Sequence, residues 1–494
     1  MSAVGNSLNA ASQGIAALYS QLSQVVLGHN SVYMPKGGQA LTPTARDDTT
    51  YIAPANGVQT PVWVANNKII YSLPKTATLI GQMWHEVTLS AGTTTPTAPF
   101  VAGYIPGTPA DPVASAAAAP AQNGAPKAEY IRNVGDLIVS YIILRYGSTP
   151  LQQYATDMVV AQRYLEKNNI NIQNINVEVL GNLAPGGNTE LTLVDAFYRG
   201  VTLRHQLDEI WFTQSQDRHW MPESLALEGT LEFTLRDPAQ CIITANGTAA
   251  DIAVMPTITN CVLRYKQVTL SAAEKMNRLA IYKSPEGLVN LFEDTEDQLG
   301  FQVVPTVGTP AAPVQITLNV PLSNFRMDMK ELIFYVRVAQ NTTAYAAPFG
   351  TFGGQLANWR GSRTESDRVT QSLLLNANGS NVIGTLVPVV SWKLVSGGKD
   401  LYNLIPELFS RTHVRKQYHP DAEVSAYVYQ QSFAIYPEDT RNATGHISTS
   451  TLGNLTLVVN IMSQGPAFTY QVDCHAKTYN LMQSRGGSIA KALN

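Results

Sequence analysis

The chain has 494 residues, of which 45% are hydrophobic and 14% charged, with a formal net charge of -3. That length exceeds what one hydrophobic core usually organises and points to two domains, while the charge balance lacks the basic excess that phosphate neutralisation requires and so excludes direct nucleic-acid binding. Cys241, Cys261 and Cys474 lie too far apart for a disulfide framework or a CxxC metal site, and no apolar run is long enough to span a bilayer or to read as a signal peptide.

Residues 1 to 35 hold no Asp, Glu, Lys or Arg, and Leu8, Ile15, Leu18, Leu22 and Val25 share one helical face. This N-terminal arm is expected to dock, on a partner or on its own domain. Beyond it the period changes to two. TLIGQMWHEVTL (78 to 89), DLIVSYIILRYG (136 to 147), INVEVLGNL (175 to 183) and LALEGTLEFTLR (225 to 236) read as half-buried antiparallel strands. In the last of these, Leu225, Leu227, Leu231, Phe233 and Leu235 share a phase with Gly229. Between them, residues 90 to 128 are crowded with Ala, Pro, Thr and Gly and read as a long surface loop. LQQYATDMVVAQRYLEKN (151 to 168) reads as a helix with Tyr154, Met158, Val159 and Ala161 inward.

ANGTAADIAVMP (245 to 256) follows a strong strand and precedes a fresh one, so the domain boundary is expected there. CVLRYKQVTL (261 to 270) then opens the second half. Ser271 followed by Glu274 makes a capping-box pattern for a short helix. Further strands are VQITLNVPL (314 to 322), ELIFYVRVA (331 to 339), AEVSAYVYQQSFAIY (422 to 436) and NLTLVVNIM (454 to 462), with a second long loop at 341 to 388. Many strands without regularly interposed helices predict an all-β fold of sandwiches or barrels.

Recognised catalytic spacings are absent from the sequence: there is no GxxxxGK[ST], HExxH, GxSxG, GxGxxG or HxH. His413, Arg415, Lys416 and His419 in RTHVRKQYHP read as a solvated polar turn, and His85 and His219 as structural histidines. The acidic run Glu293, Asp294, Glu296, Asp297 lacks the glycine bend of a calcium loop and reads as a solvated loop. Sequons at Asn246, Asn341, Asn378, Asn442 and Asn454 have no secretory context. No catalytic, cofactor or metal residues are assigned.

SFAIYPEDTRNATGHISTSTLGNLTL (432 to 457) resembles the C-terminal signature of the major capsid proteins of nucleocytoplasmic large DNA viruses, through Ser432, Phe433, Ala434, Pro437, Glu438, Gly445 and Leu455 to Leu457. It departs at Ser448 and Thr449, where the family carries an aromatic and arginine pair, which implies a divergent member. Segments 136 to 154, 211 to 233, 262 to 280, 330 to 337 and 477 to 492 resemble other family elements in the same order. The resemblance implies a double jelly roll: an arm at 1 to 35, an eight-stranded jelly roll at 36 to 245, a linker at 246 to 256, a second jelly roll at 257 to 480 and a tail at 481 to 494. It further implies a non-enzymatic shell subunit forming homotrimeric, pseudo-hexagonal capsomers in the virion of a large double-stranded DNA virus, assembled in host cytoplasm. The partners implied are neighbouring capsomers, penton and minor capsid proteins, and the inner membrane through the arm. Two rival readings are a secreted or surface β-sandwich binding module, lectin-like or receptor-binding, and a β-sandwich glycosidase, which would need a carboxylate pair across a cleft.

Overall fold

The computed structural model describes residues 45–491 except 56–59, 76–78, 95–127, 132–133, 166–195, 215–218, 245–248, 310–311, 340–388, 421–426, 441, 450, 464 and 467–468. The N-terminal arm, the strand expected at 175 to 183, the loop at 341 to 388 and all but the ends of the loop at 90 to 128 lie outside these residues.

The eight main strands of the first half are β1 (Ala45–Ile52), β2 (Lys68–Ser72), β3 (Leu79–Leu89), β4 (Val139–Tyr146), β5 (Thr149–Ala155), β6 (Val201–Gln206), β7 (Gly229–Leu235) and β8 (Ile258–Leu270). They pair antiparallel as β1-β8-β3-β6 in one sheet and β2-β7-β4-β5 in the other. The eight main strands of the second half are β9 (Leu288–Val303), β10 (Val314–Pro321), β11 (Asp328–Val338), β12 (Val389–Ser396), β13 (Lys399–Asp400), β14 (Val428–Ser432), β15 (Leu455–Ser463) and β16 (Tyr470–Arg485). Their sheets run β9-β16-β11-β14 and β10-β15-β12-β13. Each strand of the second set thus takes the place of the strand eight before it, and each set is a jelly roll of two facing antiparallel sheets.

Side-chain alternation builds each core. In β15 Leu455, Leu457, Val459 and Ile461 are buried while the residues between them are half-buried, so one face points inward. They meet Leu332, Phe334 and Val336 of β11, Trp392 and Leu394 of β12, and Val472 and Cys474 of β16. In the first roll Tyr71, Ile142, Leu231, Phe233, Val87 and Leu263 make the equivalent core. Each fully buried residue of this size contributes about 1.5–3 kcal/mol.

Several expectations are corrected. The strand expected to open the second domain is β8, whose ladders run to β1 and β3, so it completes the first roll. The change from one roll to the other therefore falls at helix α2 (Ala272–Lys283), not at 246 to 256, where Ile252–Val254 instead pairs with Thr93–Thr94. Periodicity marks β8 as a strand but carries no information about which sheet will take it. As far as Lys491, the expected tail at 481 to 494 is the end of β16 and β17 (Ser488–Lys491), joined by Gly486 and Gly487 at φ 57° and 81°. Both values are left-handed, which is what a two-residue hairpin turn needs and only glycine supplies freely. The helix expected at 151 to 168 begins as β5, and among the described residues of that span Thr156–Leu165 (α1) is helical. In 225 to 236 the strand starts at Gly229, and Leu227 is exposed. Helix α2 does form, with the Ser271 hydroxyl accepting from the Glu274 N–H at 3.3 Å. The Glu274 carboxylate turns away from the cap to accept from Arg278 at 3.0 Å, so only half of the capping box is made.

Candidate assembly interface

The two rolls of the chain meet through a buried face. In β16 every residue from Tyr470 to Met482 is buried, with no alternation, because the face turned away from the second core is covered by the first roll. On that covered face Ile333 and Tyr335 of β11 pair across the ladder with His475 and Asp473 of β16, and Ile333, Tyr335, Phe292 and Met482 join the apolar cluster of the first roll.

Polar groups fix the register of this contact. Gln152 of β5 donates to the Glu209 carbonyl at 2.7 Å and the Glu293 carbonyl at 3.3 Å. Gln214 donates to the Glu293 carbonyl at 2.6 Å and accepts from the Glu293 N–H at 2.9 Å. Burial pushes the Asp157 carboxyl up, but the charges of Arg236 and Arg337 outweigh it and hold it below its usual range. Arg236 of the first roll lies 3.2 Å from Asp157, and Arg337 of the second sits 3.9 Å from Asp157 and 2.7 Å from Asp473. Charges of alternating sign thus cross the junction. A second group joins Glu293 to Lys330, with Lys477 3.7 Å from Glu293 and 4.0 Å from Glu209. Buried ion pairs of this kind specify one docking geometry more than they add stability.

The acidic run expected as a solvated loop is therefore corrected: it lies in β9, where Glu293 and Asp294 are buried. Glu293 pairs with Lys330 and Asp294 with Lys491, Asp297 lies 2.6 Å from His475 Nδ1, and Glu296 accepts from the N–H of Arg326 at 2.9 Å. Burial raises the Asp294 carboxyl above its usual range despite Lys491. The polar turn expected at RTHVRKQYHP is also corrected. It is helical, in consecutive pieces Glu407–Phe409, Ser410–Val414 (π-helical) and Arg415–Tyr418. That winding turns Arg415 inward, donating to the Val428 carbonyl at 3.0 Å, and buries His419 between Glu331 at 2.7 Å and Glu438 at 3.1 Å. His413 and Lys416 stay exposed. His85 is buried, stacks on Phe233 with ring centroids 4.2 Å apart and lies 3.1 Å from the Tyr71 hydroxyl. His219 is buried beside Gly81. Asn442 and Asn454 are exposed, and the other three sequons lie outside the described residues.

Among the described residues no three His, Cys, Asp or Glu side chains gather as a metal site, and no helix is long and apolar enough to cross a membrane. Sequence reasoning missed Asp157, Arg236, Gln152, Gln214, Arg337 and Asp473. The one signal that could have found Asp473 is the uninterrupted polar and apolar mixture of β16, which breaks the alternation seen in β15.

No family model and no curated protein matches the sequence. Among solved structures, the chain is similar to the subunit in the quasi-atomic model of the PBCV-1 virus capsid, with a TM-score of 0.61 at 16% identity, covering 94% of this chain and 99% of that one. It is similar also to the Faustovirus major capsid protein, with a TM-score of 0.62 at 11% identity, covering 96% and 98%. The double jelly roll is thus shared with these proteins over nearly the whole length of both chains.

Proposed function

We propose that this chain is a structural subunit of an icosahedral virus capsid, three copies forming a pseudo-hexagonal capsomer in the shell of a large double-stranded DNA virus. The observation that carries the reading is the repeated jelly roll, locked into one body by a buried junction and matched end to end by capsid proteins of two viruses. Two similar wedges per chain suit a threefold ring that presents six, and such a ring tiles a surface. The low charge content fits too, because the cores of permanent interfaces are depleted of charge.

A non-enzymatic role fits the fate of the buried acids, since Asp136, Asp157, Glu293, Asp294 and Glu331 are each paired within the chain. Penton and minor capsid proteins, the inner membrane met by residues 1 to 35, and assembly in host cytoplasm belong to the same proposal. Light scattering of the purified protein, combined with imaging of assembled particles, tests it. A closed trimer and a lattice of pseudo-hexagonal units are expected; a chain that stays monomeric at every concentration overturns the reading.

A further inference from the structure

The C-terminal hairpin brings an amine, an amide and a carboxylate together on one face of a sheet. In the ladders of β16, Lys491 of β17 stands opposite Met482, and Asp294 of β9 stands opposite Thr478. Asn480 lies two residues from each of these positions, so the three side chains share a face and the line from Lys491 to Asp294 crosses Asn480. Phe292, opposite Asn480, and Met482 stand on the same face, and both are buried.

One oxygen collects the polar groups. Asp294 Oδ2 accepts from Lys491 Nζ and, at 3.4 Å, from Asn480 Nδ2. Its other oxygen, Oδ1, is buried with no hydrogen-bond partner among the described residues. The side-chain carbonyl oxygen of Asn480 accepts from the Leu481 N–H at 2.8 Å. Asn480 and Asp294 are both buried, so water, which would compete for the amide, is kept away from it. A plain ion pair accounts for Lys491 and Asp294 but leaves the amide and the bare oxygen without a role. Burial raises the Asp294 carboxyl above its usual range despite Lys491, which suits it to take up a proton and hand it on.

We propose that Lys491 and Asn480 join in an intramolecular isopeptide bond, with Asp294 as the proton carrier. Asp294 takes a proton from Lys491 Nζ and frees its lone pair, and Nζ attacks Cγ of Asn480. The carbonyl oxygen gathers negative charge against the Leu481 N–H, a donor already in place. The Nζ–Cγ bond forms and the Cγ–Nδ2 bond breaks. Two protons of the Lys491 ammonium pass in turn through Asp294 to the leaving nitrogen, which departs as ammonium and leaves Asp294 as it began. No oxidant or co-reactant enters. The bond closes residues 480 to 491 into a ring around the turn at Gly486 and Gly487. The Gly487 carbonyl accepts from the Ala226 N–H at 2.7 Å and the Tyr146 hydroxyl at 2.8 Å, so the ring fastens the hairpin with which the second roll grips the first.

Tryptic digestion of the purified full chain, read by mass spectrometry, tests the bond. Cleavage after Lys477 and Arg485 is expected to give one branched peptide, 478–485 joined to 486–494, lighter by one ammonia than the two together. Cleavage after Lys491 is lost, because its amine is acylated. Lys491→Arg keeps the positive charge without the nucleophile, and Asp294→Ala removes the proton carrier; each should return linear peptides. A wild-type digest with linear peptides overturns the bond, and this result needs no variant to fold. Loss of ammonia from peptide 478–485 alone is ring closure within Asn480 and overturns it equally. A branched peptide that persists in Lys491→Arg overturns the choice of amine, and one that persists in Asp294→Ala overturns the role given to Asp294.

Discussion

At the scale of single residues the junction rests on charges that water cannot reach. Lys330 is fully buried against Glu293, so Lys330→Ala takes the nearest cation from a buried carboxylate and is expected to cost about 3 kcal/mol in denaturant unfolding. Adding Glu293→Leu should restore only part of this, because Lys477 then loses the carboxylate 3.7 Å away while keeping Glu209 at 4.0 Å. His85 gives a test by pH. Burial, assisted by the charge of His205, lowers its pKa from 6.5 to about 3, so between these values the unfolded chain binds a proton that the folded one refuses. Stability from this site is complete above pH 6.5 and is lost as pH falls toward 3, by about 1.4 kcal/mol per unit. His85→Phe keeps the stack on Phe233 and removes the titration. Relative to wild type it should therefore gain about 2 kcal/mol between pH 8 and pH 5, read as the shift in urea midpoint.

At the scale of elements, the joint between α2 and β9 is the tightest point. Gly287 has φ 66°, and a Cβ there would lie 2.2 Å from the Ser484 carbonyl oxygen of β16. Gly287→Ala combines a left-handed penalty of about 1–2 kcal/mol with a backbone clash, and a fall in melting temperature larger than the penalty alone is expected. Gly486→Asn, at φ 57° with no atom near its Cβ, should be almost silent in the same measurement. The sequence shows such elements well where one physical rule decides. The alternation of β15 and the Ser271 cap of α2 were legible, as was the all-β class. It shows them poorly where distant partners decide. β8 looks the same whichever roll takes it, and Glu293 and Asp294 look solvated until Lys330 and Lys491 arrive from strands far along the chain. Arg415 and His419 read as a polar turn because short helical pieces of three to five residues between buried partners leave no long apolar stripe. The motifs of the resemblance located the fold, and Gln152, Gln214, Lys330, Arg337 and Lys477 lie within those segments, but nothing in the resemblance marks them as the residues that lock the two rolls together.

At the scale of the molecule, the apolar cluster of the first roll includes Phe292, Ile333, Tyr335 and Met482 of the second, so the rolls share a core as well as a boundary. One cooperative thermal transition is expected by calorimetry, with calorimetric and van't Hoff enthalpies in agreement; two resolved transitions would contradict a shared core. The same arrangement sets an order on biosynthesis. β8 completes the first roll at Leu270, whereas β16, the central partner of both β9 and β11, is made after every other strand of its roll but the short β17. The growing chain can thus finish its first half early, but the surface that receives the second half must wait, wet and open, until Tyr470–Arg485 has emerged. A translational pause or a premature stop upstream of β16 therefore leaves a half-built product with a sticky face, and quality control by chaperones is needed most at that late moment.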